Sequence, residues 1–292
     1  MSHTLGATLR QAIRCLEQHG VVEARADAEV LLADLLATTR LQLYLNAAHA
    51  LSTAHHTAYL ARVQRRRQGE PVQYITGTQE FWSLEFLVTP QVLIPRPESE
   101  LLVEHGTRLA QQWCTEHANE PLMVLDVGTG SGNLAISLAT TLPQAQVWAV
   151  DQSLGALHLA RQNAHRLGVA ARLHWLCGDL VTAFQDGVRP FAVCVANLPY
   201  VTTAEWHQLP QAIRAYEPLT ALDGGPDGLQ YIRRLIALSP EVVARGGTLL
   251  LEVGWQQAVR VQQLMQQQGQ FATTGVCDDL AGIGRVVWGH VV

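Results

Sequence analysis

The sequence predicts an α/β fold: a doubly wound, mostly parallel sheet preceded by a small helical domain. Three observations carry this expectation. From Leu122 onward, short apolar and β-branched runs alternate with stretches at helical spacing, the pattern of repeated strand–helix units. The first unit turns through Gly128-Thr129-Gly130-Ser131-Gly132, a glycine loop between a strand and a helix. Residues 2–70, by contrast, read as helices.

Composition narrows the class. The chain has 292 residues, enough for two domains and a large core, and is 48% hydrophobic. No apolar run approaches the ~18 residues that span a membrane, and the first residues carry no secretory pattern. A cytoplasmic protein is expected. The five cysteines are scattered without a Cys-x-x-Cys pair, which argues for reduced thiols and against disulfides or a zinc site. Cys177 and Cys194 lie in apolar runs and are expected in the core. A net charge of −5, with arginine as the basic residue throughout and no lysine, argues against a chain-wide nucleic-acid surface. No metal is expected.

The elements follow in order. Leu5, Leu9, Ala12, Ile13 and Leu16 recur at helical spacing, with Gly20 as a stop. Ala24–Ala37 is a second helix, Leu41–Leu45 a short third. Ser52 is an N-cap for a helix running to Gln68. That helix carries Arg62, Arg65, Arg66 and Arg67, either a solvated face or a docking patch for an acidic partner or RNA. Tyr74–Gly77 and Phe81–Val88 read as a hairpin. Pro97 suits the first turn of a helix that runs to Trp113, with Glu98 and Glu100 at its positive end. Strands then fall at 123–127, 146–151, 172–177, 191–197 and 247–253. Helices fall at 134–141, 154–167, 229–243 and 255–268. Phe271–Cys277 and Arg285–His290 pair as an antiparallel edge, for seven strands in all. The expected division is a helical substrate-docking domain at 1–70, a hairpin and linker at 71–97, and a catalytic domain at 98–292.

The chemistry concentrates at strand ends. Glycine lets the backbone approach a ligand closely and adopt positive φ. Asp151 ends the next strand about twenty residues on, where an acid accepts from ribose hydroxyls. An adenosine-containing cofactor is therefore expected. The sixth position of the dinucleotide fingerprint holds Asn133, not glycine, which weighs against NAD. S-adenosylmethionine needs the same ribose carboxylate but has no pyrophosphate. Asp179 ends the third strand and can accept from the adenine amino group; alternatively it is a turn residue or cap. The fourth strand stops at Asn197-Leu198-Pro199-Tyr200. Proline pushes Leu198 to extended geometry, so the Asn197 side chain and the Leu198 carbonyl stand together at a strand end. Two acceptors suit a planar NH2 group. A plain strand followed by a proline turn is the alternative.

These motifs together resemble a family. Leu125–Gly132, Val150-Asp151 and Asn197–Tyr200 are similar to a class I, Rossmann-like methyltransferase acting on a planar nitrogen. Gly69–Gly77, Glu80–Trp82, Leu93–Glu100, Glu217-Pro218, Gly224–Leu229 and Leu250–Glu252 extend the likeness to the bacterial release factor glutamine methyltransferases (the HemK/PrmC family). The resemblance implies S-adenosylmethionine as methyl donor and S-adenosylhomocysteine as product. It implies the glutamine of the Gly-Gly-Gln motif of peptide chain release factors as acceptor. Carried onto this chain, the cofactor residues are Gly128, Thr129, Gly130, Ser131, Gly132, Asp151, Asp179, Leu180 and Asn197. The substrate residues are Asn197, Leu198, Pro199 and Tyr200. The family's usual motif is Asn-Pro-Pro-Tyr; Leu198 replaces the first proline, as in the Asn-Leu-Pro-Tyr of ribosomal RNA adenine dimethyltransferases. Leu180 stands where the family often has an aromatic residue.

The expected partners are release factors, with no membrane and no dedicated nucleic acid, and the expected state is a monomer. Arg96 and Glu98 either close the cofactor pocket or cap a helix. The Pro- and Gly-rich stretch from Tyr200 to Gly228 reads as a substrate-facing lid or an ordinary surface loop. Competing functions are a ribosomal-protein glutamine methyltransferase, an RNA or DNA adenine N6-methyltransferase, and a non-catalytic cofactor-binding module.

Overall fold

A computed structural model of the chain describes residues 4–184 and 191–292. Positions 2 and 3 of the expected helical stretch lie outside the described residues. The chain forms two compact units, Met1–Thr78 with Pro210–Tyr216, and Gln79–Leu209 with Glu217–Val292.

The first unit is helical: α1 (Leu5–Gln18), α2 (Ala24–Leu35), α3 (Arg40–Leu45), α4 (Thr53–Arg67) and α5 (Val72–Thr76). Leu16, Leu31, Leu32 and Tyr59 are fully buried among them, and the Tyr59 hydroxyl donates to the Ala28 carbonyl at 2.9 Å. Ser52 caps α4, accepting from the His55 amide at 3.1 Å. Gly20 follows α1 with φ +73°. The expected strand over Tyr74–Gly77 is instead α5. Pro71 opens it, and Gly77 closes it in the left-handed conformation at φ +81°. Aromatic and β-branched content alone did not distinguish a capped helical turn from a strand.

The arginines of α4 are largely consumed within this unit. Arg62 donates to Asp34 at 2.5 Å, Arg65 to Glu70 at 2.6 Å, and Arg66 to Asp27 at 2.6 Å. The Arg62–Asp34 and Arg66–Asp27 pairs tie α4 to α2.

A hairpin follows whose first strand starts at the unit boundary, β1 (Thr78–Phe81) and β2 (Leu84–Leu87), then α6 (Glu100–Glu116), preceded by a 3-10 turn at Pro97–Ser99. β3 (Met123–Val127), α7 (Asn133–Thr141), β4 (Gln146–Asp151), α8 (Leu154–Arg166), β5 (Leu173–Cys177) and β6 (Phe191–Ala196) follow. After the short helices α9 (Thr203–Trp206) and α10 (Gln211–Tyr216, in the first unit) come α11 (Gln230–Leu238), β7 (Val243–Glu252), α12 (Ala258–Gln268), β8 (Phe271–Asp278) and β9 (Gly284–Val291).

The seven-stranded sheet has the order β5-β4-β3-β6-β7-β9-β8. β5, β4, β3, β6 and β7 are parallel; β9 joins β7 and β8 antiparallel. Alternate residues of β3 enter opposite cores: Val124 packs with Leu102, Leu138 and Val193 on one face, Leu125 and Val127 with Cys194, Ile232 and Leu251 on the other. A strand buried on both faces reads as a continuous apolar run, as β6 does and as β3 does apart from Asp126.

Three expectations change. α11 ends at Leu238, and β7 starts at Val243 rather than Gly247, because Val243 already pairs with Phe191 across an irregularity in the β6–β7 register. The last helix starts at Ala258 rather than Trp255. Cys194 is buried, but Cys177 is exposed because it ends β5, the outermost parallel strand. All five cysteines are free thiols, and no helix among the described residues is long and apolar enough to cross a membrane.

Candidate active site

Register brings the site together. In the middle of the sheet, Val127 of β3 lies opposite Ala196 of β6, and Ala196 lies opposite Leu251 of β7. The next residues, Gly128, Asn197 and Glu252, therefore stand at one level on the carboxyl edge. The chain runs from β3 outward through β4 to β5, and from β6 outward to β7. The crevice between β3 and β6 is thus the topological switch point, where open α/β sheets bind ligands.

The glycine loop is pinned from beneath. The amides of Gly128 and Thr129 donate to the Val150 carbonyl at 2.8 and 3.0 Å. Asp126 Oδ2 accepts from the Thr129 hydroxyl at 2.6 Å and from the Ala135 amide at 3.1 Å. Asn163 donates to the Ser131 carbonyl at 2.9 Å and to Leu87 at 3.0 Å, linking the loop to the hairpin. Gly128, Gly130 and Gly132 all have positive φ. A Cβ at Gly132 would lie 3.0 Å from Ala160, so this glycine lets α7 and α8 pack closely. A Cβ at Gly130 would meet nothing within 4 Å, so its open face is available to a ligand. Asp126 and Asn163, both fully buried, hold the loop and were not foreseen. The signal for Asp126 was an acid inside an otherwise apolar strand.

Asp151 closes the loop from the other side. Its Oδ2 accepts from the Gly130 amide at 2.9 Å and its Oδ1 from the Ser153 amide at 2.8 Å. Burial raises its carboxyl above the usual range, while these backbone donors pull it back. Each oxygen keeps acceptor capacity for a further donor.

One cleft joins these groups. Gly128, Gly130, Ser131 and Asp151 line one part of it. Asp179, Leu180, Asn197, Leu198 and Pro199 line the rest. Three of the residues named from the sequence are not in its wall. Thr129 turns its hydroxyl to Asp126, Gly132 packs against α8, and Tyr200 sits against Glu252. Asp179 is half-exposed and accepts two bonds from Arg234, at 3.2 and 2.6 Å. Leu180 is buried with φ +52°, a left-handed conformation uncommon for a leucine.

Around Asn197 the polar contacts are specific. Asn197 Nδ2 donates to Ser99 Oγ at 2.9 Å, and Ser99 Oγ donates to Glu252 Oε2 at 2.5 Å. The Tyr200 hydroxyl donates to Glu252 Oε1 at 3.4 Å. Ser99 and Glu252 are almost wholly buried. Burial pushes the Glu252 carboxyl up to about 7, against the pull of the Ser99 and Tyr200 hydroxyls and Arg285, with Glu98 adding to the rise. Burial likewise raises the Tyr200 hydroxyl, which stays a phenol and a donor.

The stretch after Tyr200 clamps the backbone of the tetrapeptide. The Val201 amide donates to Leu222, the Gly224 amide returns to the Val201 carbonyl at 2.8 Å, and Gln257 Nε2 donates to the Tyr200 carbonyl at 2.9 Å. A Cβ at Gly228 would lie 2.3 Å from the Tyr200 carbonyl oxygen, so only glycine fits there. Pro218, Thr220 and Ala221 of the same stretch line the cleft. Arg96 also lines it, and donates to the buried Glu217 at 2.5 Å; Glu217 accepts from the Ile94 amide at 3.3 Å as well.

The chain is similar over nearly its whole length to known proteins. Residues 7–77 match the PrmC N-terminal domain, and residues 124–218 match a methyltransferase domain. The release factor glutamine methyltransferase of Geobacter sulfurreducens is 43% identical over 281 residues, spanning 94% of this chain and 93% of that protein. Those of Moorella thermoacetica and Burkholderia pseudomallei are 41% and 42% identical, covering 97% and 91% of this chain and 96% and 91% of their own. Among solved structures, the hMettl16 catalytic domain in complex with MAT2A 3'UTR hairpin 6 superposes with a TM-score of 0.57 at 14% identity. It covers 83% of this chain and 84% of its own, a likeness of fold alone.

Proposed function

We infer the reaction from one premise: the chain belongs to the release factor glutamine methyltransferase family. We propose that it transfers a methyl group from S-adenosylmethionine to the side-chain amide nitrogen of the glutamine in the Gly-Gly-Gln motif of peptide chain release factors. Such a substrate belongs to translation, so the enzyme works in the cytoplasm. The observation that carries this reading is the Asn197 amide, tied through its nitrogen to Ser99 and lining the same cleft as Gly130 and Asp151.

The residues present suit S-adenosylmethionine. Gly130 offers an open backbone face, Asp151 keeps acceptor capacity for ribose hydroxyls, and Leu180 adds apolar surface beside them for a base. When bound, this cofactor supplies an electrophilic methyl group. Gly128, Gly130, Ser131, Asp151 and Leu180 would hold it. Asp179, held by Arg234, would accept from the adenine amino group with its remaining lone pairs.

An amide nitrogen is a poor nucleophile because its lone pair is delocalised. Asn197 Oδ1 and the Leu198 carbonyl accept the two N–H bonds of the glutamine amide and orient its nitrogen. Fixed acceptor dipoles stabilise positive charge as it develops on that nitrogen. The glycine clamp behind Pro199 and Tyr200 keeps both acceptors in place, and positioning of this kind is worth up to several kcal/mol. The proton leaves the nitrogen after transfer, so no dedicated general base is needed.

The test is to incubate the full chain and labelled S-adenosylmethionine with a purified release factor, a ribosomal protein or RNA. Label is expected on the Gly-Gly-Gln glutamine and lost when that glutamine is replaced. Label confined to ribosomal protein or nucleic acid overturns the reading.

A further inference from the structure

We propose that Glu252, acting through Ser99, is a positioning residue that sets the Asn197 side-chain amide with its oxygen toward the cleft. The proposal rests on the glutamine-methylation reading of the site.

An asparagine amide has two faces of opposite character, and its two flips are nearly isosteric. Only one flip serves an NH2 substrate. With Oδ1 toward the cleft, Asn197 accepts from the glutamine amide. With Nδ2 there, two donors would face each other. Something must choose between the flips, and the cleft itself cannot before substrate arrives.

The choice follows from a chain of donors that ends on a carboxylate. Above about pH 7, where its raised carboxyl is ionised, Glu252 can only accept. Its Oε2 lies 2.5 Å from Ser99 Oγ, so the serine proton points at Glu252. Ser99 Oγ then offers only a lone pair to its other neighbour, Asn197, 2.9 Å away. Asn197 must present Nδ2 to it, which turns Oδ1 the other way. The hydrogen bond that the Asn197 side chain makes to Ser99 runs through Nδ2, which leaves Oδ1 on the opposite side. The same carboxylate accepts from the Tyr200 hydroxyl at 3.4 Å, so both ends of the tetrapeptide refer to one buried acid.

The three residues come from separate elements. Ser99 precedes α6, Asn197 follows β6, and Glu252 ends β7. Ser99 and Glu252 are 1% and 2% exposed, which shields them from contact with a substrate and restricts them to acting through Asn197 and Tyr200. A buried carboxylate is costly, and one that made only a structural bond could be replaced by an amide of the same shape at little loss. Glutamine, however, can donate as well as accept, so it frees Ser99 and Asn197 to reverse together.

The experiment compares full-length wild type with Glu252→Gln, Ser99→Ala and Ser99→Thr above about pH 7, where Glu252 is ionised. Glu252→Gln and Ser99→Ala should lower kcat roughly 10- to 100-fold, with cofactor affinity and release-factor KM changed less than about threefold, the cost of a misdirected hydrogen bond to a charged chain. Ser99→Thr keeps the hydroxyl and should restore most of the rate. In wild type, the Asn197 side-chain NH2 protons should show a nuclear Overhauser contact to the Ser99 β-protons. Glu252→Gln should weaken it as the amide rotates. An unchanged contact in Glu252→Gln, or an unchanged kcat, overturns the proposal. The spectroscopic arm needs no substrate: if wild type methylates no release factor, the reaction reading falls, and the Asn197 contact still decides the role of Glu252.

Discussion

The side chain of Leu198 lies over Gly128: a Cβ at position 128 would sit 3.1 Å from Leu198 Cδ2 and 3.7 Å from the Asn197 carbonyl oxygen. The Asn197–Tyr200 tetrapeptide and the glycine loop therefore touch at the switch point. Leu198, where the family usually has proline, is buried to 4% exposure, so packing on the glycine loop constrains the turn that a second proline would stiffen.

Gly128→Ala should consequently disturb both functions. Alanine at φ +78° costs roughly 1–2 kcal/mol in backbone strain, and its methyl displaces Leu198. Denaturant unfolding should register the strain. Calorimetric S-adenosylmethionine affinity and kcat should fall together, and a normal kcat would show that the contact does not matter.

Asn197→Ala and Asp151→Ala should separate. Asn197→Ala removes the acceptor proposed for the substrate amide and is expected to abolish turnover while cofactor binding stays largely intact. Asp151→Ala removes the carboxylate beside Gly130 and should weaken cofactor binding. Calorimetry and methyl transfer on both variants check this; equal loss of both properties in Asn197→Ala would reject its assignment to the substrate.

Stability should fall as pH rises through neutrality. Burial pushes the Asp126 carboxyl from 3.8 up to about 7, against the pull of Thr129 and Ala135. Glu252 is pushed up to about 7 in the same way. Between 3.8 and about 7 the folded chain holds protons that the unfolded chain releases. The contribution of such groups is complete below the unfolded value and is lost as pH climbs through the folded one. Asp126→Asn keeps an oxygen for Thr129 and Ala135 but cannot titrate. Its urea midpoint should drop less than that of wild type between about pH 5.5 and about pH 8. Parallel drops would mean that Asp126 does not titrate in this range.

Arg66→Ala should act on the helical unit as a structural change. Arg66 and Asp27 are both mostly buried, so removing the guanidinium leaves a carboxylate without its partner. A loss of roughly 1–3 kcal/mol is expected, seen as faster amide exchange in α2 and α4. Arg67, which is exposed, should tolerate alanine within about 0.5 kcal/mol. A fall in methyl transfer at unchanged stability in either variant would instead favour a docking role for this face.

Local chemistry made much of this protein legible from sequence. The apolar runs of β3 and β6, the glycine loop, Asp151 and the Asn-Leu-Pro-Tyr turn follow from short-range rules, because burial on both faces, positive φ and the restraint before proline are properties of neighbouring residues. The seven strands and their doubly wound, mostly parallel class follow from the alternation of elements, whereas the strand order came from the tertiary structure. What only the tertiary structure decided depends on partners far apart in sequence. Ser99 meets Asn197 across 98 positions, and Glu252 meets Ser99 across 153. Asp179 is engaged by Arg234, and Arg66 by Asp27. These pairings depend on strand register and helix packing, since a shift of one residue along β7 would turn Glu252 to the other face of the sheet and away from Asn197. The residues named for the site were readable because their chemistry is local; the Asn197–Ser99–Glu252 chain was not, because it joins elements far apart in sequence.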